Sequence, residues 1–378
     1  MVNVVVLGGG TGGTAVANQL ARHLGPELRR GRVRLVLLSD DPYHTYQPGF
    51  LATALGKAPL GRFRRPLRSL LLPGVELQVD PARLVDTRAR VVEGESGRRY
   101  PFDYLVLATG AHPFLEDVPG LAEAGHTFYT PAGARRLQQA LASFAGGRIV
   151  LTVGIPHKCP VAPLEMALLL DDELRRRDLR ERTELVYTYP IQRLHVLPEV
   201  SRWAEEEFAR RGILSQTFFN LERVEVAGRV AVSLEGMELP FDLLIHVPAH
   251  RGAGVVRDSG LADREGFVPA DRFSLEVVGQ QGIYVVGDAS NLPVSKAGST
   301  AHYQAEVVAA NLAALVRHET PAARYDGKVF CFIEAGQAAS FVEFGYLRPP
   351  SPAPASPALA AMKAAYGELY WLTARGLL

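Results

Sequence analysis

Residues 2–24, VNVVVLGGGTGGTAVANQLARHL, constrain the fold more than any other stretch. An unbroken apolar run gives way to glycines and then to a helix-patterned segment that Gly25-Pro26 stops. Gly8-x-Gly10-x-x-Gly13 falls directly between strand and helix. In such a turn the first glycine makes the bend and the second lets the backbone approach a pyrophosphate. The third lets helix and strand pack closely. The helix N-terminus, Thr11 included, then faces the phosphates. A second apolar run, RVRLVLLS, completes a βαβ unit over residues 2–39. A ribose-binding carboxylate should end that second strand. Ser39 stands there with Asp40 just after it, so Asp40 is the candidate and Ser39 the alternative.

The rest of the chain is long enough for more than one such unit. Its 378 residues predict two or three domains, and a 47% hydrophobic share provides ample core. Forty-one basic against 40 acidic side chains leave a net charge of +1, which gives nucleic-acid binding no electrostatic support. The N-terminus reads as a buried strand rather than a leader, and no apolar run is long enough to span a bilayer. A cytoplasmic protein is therefore expected. With two cysteines and a reducing compartment, a catalytic pair is the economical use of both thiols; two thiols alone build no structural zinc site, and no metal is expected.

The pattern divides the chain at 1–112, 113–246, 247–324 and 325–378. The first and third pieces form one discontinuous dinucleotide-binding domain. The second repeats the alternation of strand and helix. The last holds a period-two hairpin near 328–346, a proline-rich linker and an amphipathic helix. The fold class is α/β: two Rossmann-like domains plus that C-terminal hairpin and helix.

The second domain's turn is defective. RIVLTV leads into Gly154-x-Pro156-x-x-Cys159, where proline brings bulk and removes an N–H. The following strand ends Thr188-Tyr189-Pro190, with no acid for a ribose. Both losses argue against a nicotinamide dinucleotide as donor. What remains is a thiol ahead of a helix, with His157 and Lys158 beside it. Helix end and cations are expected to lower the thiol pKa.

The chain resembles two-dinucleotide-binding-domain flavoproteins in LVLATGAHP, with Ala108, Thr109 and Gly110, and in GIYVVGDAS, with Gly287 and Asp288. That resemblance implies non-covalent FAD, with Asp288 on the ribitol chain and the helix after Lys296 and Ala297 pointing at the flavin. KCPVAPLE, VSKAGSTAHYQAE, FCFIEAG and PYHTYQP narrow it. The chain resembles the sulfide:quinone oxidoreductases and the flavoprotein subunit of flavocytochrome c sulfide dehydrogenases over residues 1 to about 346. The resemblance implies a redox disulfide between Cys159 and Cys331 beside the flavin, opened by hydrosulfide or by a low-mass persulfide or thiol. It implies quinone as acceptor, with a cytochrome partner as the alternative. Glu165 and His157 are candidate proton carriers, and His195 a weaker one. Tyr43, His44, Tyr46 and Gln47 belong to a block near the flavin. A homo-oligomer is expected, and residues 358–378 are a candidate membrane-facing segment on the inner face of the membrane. Along it Leu359, Met362, Tyr366, Leu369 and Leu372 recur at helical spacing. A type II NADH dehydrogenase would need the intact second turn, and a non-catalytic FAD-binding protein is the alternative outside enzymes.

Overall fold

A computed structural model describes residues 1–377; Leu378, the last residue of the membrane-facing segment proposed above, lies outside the described residues. The opening unit comprises β1 (Val2–Leu7), α1 (Thr11–His23) and β2 (Val33–Ser39), followed by β3 (Val75–Val79) and β4 (Tyr104–Leu107). The chain then builds α2 (Pro131–Ser143), β5 (Gly147–Val153), α3 (Ala162–Arg176), β6 (Thr183–Tyr189), α4 (Pro198–Arg211), β7 (Leu214–Thr217) and β8 (Leu243–Val247). It returns through β9 (Ile283–Val285) and α5 (Gly298–Val316). It ends in β10 (Val329–Ala335), β11 (Ala338–Phe344) and α6 (Pro357–Ala374).

Two parallel sheets result. The first runs β9-β4-β1-β2-β3, so a strand from late in the chain completes the sheet begun by the first residues. The second runs from the short strand Gly125–His126 through β8, β5 and β6 to β7. A parallel sheet is covered on both faces, which explains why β1 is a continuous apolar run rather than an alternating one. Val4 and Val6 pack with α1 and α5, while Val5 and Leu7 pack on the opposite face with Val85, Val92 and Tyr100 of a small antiparallel sheet.

The C-terminal region is docked, not appended. β10 and β11 form an antiparallel hairpin in which Cys331 faces Val342. The proline-rich segment lies along the hairpin's free edge: Ala353 N–H donates to the Phe341 carbonyl, and Ser356 bridges Ala339. Ser356 then caps α6 through its side chain. Among the described residues no helix is long and apolar enough to cross a membrane.

Candidate active site

The C-terminal ends of β1, β4 and β9 converge on one crevice, the place where open parallel sheets bind ligands. Gly8 there has φ +115, and a Cβ on it would lie 2.3 Å from the Ala108 carbonyl oxygen. A Cβ on Gly13 would lie 1.8 Å from the Gly8 oxygen, whereas a Cβ on Gly10 would meet nothing within 4 Å. The turn is therefore closed on both flanks and open in the middle. Thr109 Oγ1 is buried without a hydrogen-bond partner. Ser39 is buried with its hydroxyl spent on the Asp41 carbonyl at 2.8 Å, and Asp41 pairs with Arg64 at 2.6 Å. Asp40 is exposed at the end of the strand, the freer of the two candidates for a ribose.

Gly287 and Asp288 follow β9. The Gly287 N–H donates to Gln304 Oε1 at 2.6 Å, which ties this turn to α5. Ala297 precedes the first turn of α5. Lys296 folds back, and its Nζ donates to the carbonyls of Asp288 and Ser290 at 2.9 and 2.6 Å. Burial lowers its pKa to about 8 against the opposing pull of Asp288. An open glycine cradle, an orphaned threonine hydroxyl and a carboxylate beside a helix N-terminus fit a dinucleotide cofactor with its ring end toward α5.

The second turn is packed with protein. Gly154 approaches the Ala249 nitrogen so closely that a Cβ would lie 2.8 Å from it. Tyr189, where a ribose carboxylate would belong, is wholly buried, and its hydroxyl is 3.5 Å from His157 Nε2. Tyr129 donates to the Lys158 carbonyl at 3.0 Å. Cys159 itself adopts φ +49, a left-handed conformation uncommon outside glycine, whereas Gly13, its counterpart in the first turn, already lies within α1. Its N–H donates to the Lys296 carbonyl at 2.6 Å, which joins the turn to the cofactor crevice.

The thiol electrostatics differ from the sequence expectation. Burial pushes Cys159 up to about 12, and the nearby Glu165 carboxylate adds to the rise. Cys331 is also raised, first by burial and then by Cys159 and Glu165, so Cys331 lies within the field of Cys159. The expected cations do not offset this: Lys158 lies in the field of Cys159, but the rise from burial is the larger effect. Burial holds His157 near 4, hence neutral, and Lys158 points its ammonium at the Ala111 carbonyl, 3.0 Å away. Helix α3 starts at Ala162, three residues beyond Cys159, so the thiol stands off its N-terminus.

Both cysteines pack against one core cluster, and both are free thiols. Glu165 is buried beneath them, and its Oε1 accepts the Glu334 backbone N–H at 2.7 Å and an ammonium from Lys363. Lys363 also donates to Glu334 Oε2 at 2.8 Å. Sequence reasoning missed Lys363 in this role; its only local signal is a lone lysine within an apolar helix. His195 is wholly buried, with Nδ1 accepting the Leu197 N–H at 3.0 Å, Nε2 unpartnered, and no hydrogen bond to either cysteine. His44 bonds the Gly9 carbonyl through Nδ1 at 3.0 Å and Tyr370 through Nε2 at 2.6 Å. Tyr370 reaches Thr11 at 2.7 Å, so α6 is bolted to the glycine turn. Tyr46 stacks on Tyr370 with ring centroids 4.3 Å apart.

The family model described as pyridine nucleotide-disulphide oxidoreductase matches residues 2–309. A mitochondrial sulfide:quinone oxidoreductase from Schizosaccharomyces pombe is 29% identical over 367 residues, covering 88% of this chain and 78% of the relative. The crystal structure of the sulfide:quinone oxidoreductase from Aquifex aeolicus superposes with a TM-score of 0.88 at 24% identity, covering 100% of this chain and 92% of that one. An NADH dehydrogenase-like protein from Mycobacterium tuberculosis is 36% identical, but over 149 residues that cover only 39% of this chain and 36% of its own.

Proposed function

The chain belongs to the pyridine nucleotide-disulphide oxidoreductase family, and from that premise we propose that it oxidises sulfide through Cys159 and Cys331 and passes the electrons by way of FAD to quinone. The observation that carries this reading is the second turn. A nicotinamide dinucleotide would need open backbone there, and the turn is instead filled by Tyr189, His157 and a cysteine in the left-handed conformation. The sulfide:quinone oxidoreductases among its relatives match most of the chain, whereas the NADH dehydrogenase-like relative matches a minor part.

The chemistry starts from the oxidised cysteine pair. Hydrosulfide forms a bond to Cys159 sulfur, the Cys159–Cys331 bond breaks, and Cys331 leaves as a thiolate; the disulfide has oxidised the sulfide, and the two electrons remain within the sulfur atoms. Two electrons then leave the sulfur pair as the Cys331 sulfur bonds the persulfide, with loss of its proton. Glu165, buried and raised above the usual carboxylate range by that burial, is the group placed to take the proton. The extra sulfur leaves on a second nucleophile, sulfide or a low-mass thiol. FAD supplies the two-electron acceptor. Gly8, Gly10, Thr11 and Gly13 would hold its pyrophosphate, Asp40 its ribose, and Asp288 with Lys296 and Ala297 its ring end; Tyr46, Thr109 and Gly110 would close the crevice. High thiol pKa values suit this order of events, because the external hydrosulfide, not a protein thiolate, is the first nucleophile. Quinone as acceptor draws support from α6, which leaves Met362, Leu369 and Leu372 exposed while its Tyr366 packs on the rings of Phe330 and Phe332.

Anaerobic titration of the flavin visible band tests the proposal. Sulfide is expected to bleach the wild type and not Cys159→Ser, and NADH is expected to bleach neither. Rapid bleaching by NADH, equal in the variant, would return the protein to the NADH dehydrogenases.

A further inference from the structure

The proposed cycle, on which this inference rests, moves a negative charge from solvent into a pocket that already holds two carboxylates. Hydrosulfide brings the charge in, and Cys331 carries it away as a thiolate. A buried anion needs a countercharge. His157 is neutral, and the Lys158 ammonium is turned to the Ala111 carbonyl. The cation in contact with both carboxylates is Lys363, whose ammonium touches Glu165 and lies 2.8 Å from Glu334 Oε2. It comes from a helix that the chain reaches only after completing both sheets. That helix is fixed by independent anchors: Tyr370 to His44 and Thr11, Asn18 Nδ2 to the Ala374 carbonyl at 2.8 Å, and Glu368 to Arg62.

We propose that Lys363 is the countercharge of the cysteine pair, a positioning residue that α6 delivers into the sulfur site and that holds the thiolate released when the disulfide opens. The site is thus incomplete without the C-terminal helix. The groups facing the pair are Glu165 from α3, Glu334 from β10, Tyr366 and Lys363 from α6, Tyr46 and Tyr129 from the flanking segments, Asp288 across the crevice, and Lys158 in the field of Cys159 alone. Lys363 is the charged side chain that draws both thiols downward, against the carboxylates that push them up.

The test uses the reduced flavoprotein, full length, and reads the rate of iodoacetamide alkylation at Cys159 at a fixed pH of about 9 by peptide mass. Far below the thiol pKa that rate follows the thiolate fraction, so Lys363→Met is expected to slow it about tenfold, with Lys363→Arg close to wild type. Glu334→Gln removes a carboxylate and keeps the Lys363–Glu165 contact, so its rate is expected to rise. Opposite changes are an electrostatic signature; loosening of the helix would move both variants the same way. Changes of the same sign, or an unchanged rate in Lys363→Met, would overturn the proposal. Alkylation does not depend on sulfide turnover, so this result stands or falls separately from the flavin titration.

Discussion

Gly10 and Gly13 sit three residues apart in the same turn and should fail in opposite ways. A Cβ at Gly13 would overlap the Gly8 oxygen, and backbone cannot move aside cheaply. Gly13→Ala is expected to cost about 3 kcal/mol or more, read by denaturant unfolding. Gly10 has φ −76, open space around its missing Cβ and a helix-capping position that alanine fills at a cost of about 1 kcal/mol. Gly10→Ala should therefore fold normally and purify with its flavin content strongly reduced, because the added methyl occupies the space left for a pyrophosphate. A Gly10→Ala protein with full yellow colour would remove that turn from the cofactor site. Cys159 illustrates what sequence carries at this scale. Its place in the third-glycine register is legible, but its left-handed φ is not, because Gly13 in that register is already helical while α3 starts only at Ala162. The direction of its pKa is not legible, because it depends on which way His157 and Lys158 turn and on a carboxylate from the next helix.

Both parallel sheets were legible because their signals are local: apolar runs, glycine turns and helix stops each lie within a dozen residues of one another. Helix α6 was legible as a helix but not in its orientation. The sequence places Leu359, Met362, Tyr366, Leu369 and Leu372 on one stripe. The structure divides them: Tyr366 turns inward onto Phe330 and Phe332, Leu359 is half-buried, and Met362, Leu369 and Leu372 stay exposed. A helix apolar on two faces does not announce which face is inner. Tyr370 and Lys363 decide it, and Lys363 finds its partners 198 and 29 residues away, beyond the reach of any local pattern. The consequence concerns membranes. With Lys363 turned inward and Glu368 paired, the outer face has little charge to offer a lipid surface. If α6 docks on a bilayer, it does so through apolar area. Binding to neutral vesicles by flotation should then be nearly independent of salt, and serine at Met362, Leu369 and Leu372 together should weaken it at least about tenfold. Strong salt dependence would place the contact elsewhere on the protein.

At the scale of the whole molecule, loss of solvent lowers six histidines of the described residues furthest: His44, His157 and His302 near 4, His195 and His246 near 3, and His250 near 2, with His112 and His126 lowered as well. Four of them, 157, 195, 246 and 250, lie around the cysteine turn, where His157 lies within the field of the other three. The sign of their effect on stability follows from linkage. In the unfolded chain each imidazole takes up a proton near 6.5, and in the folded chain it does not until far lower pH. The unfolded state binds more protons, so stability is full above about pH 7 and is lost as pH falls below 6.5. At pH 5.5 each such histidine costs about 1.4 kcal/mol relative to pH 7.5. Six together approach the whole stability of a typical domain. Unfolding free energy measured with saturating FAD is therefore expected to collapse between pH 7 and 5. His195→Asn offers a neutral acceptor near the position of Nδ1 toward the Leu197 N–H, and it should shrink the loss between pH 7.5 and 5.5 by about 1.4 kcal/mol. A flat stability profile across that range, or an unchanged slope in the variant, would mean that these imidazoles protonate inside the fold. His157 would then be a cation beside Cys159 after all, and the countercharge assigned to Lys363 would be shared.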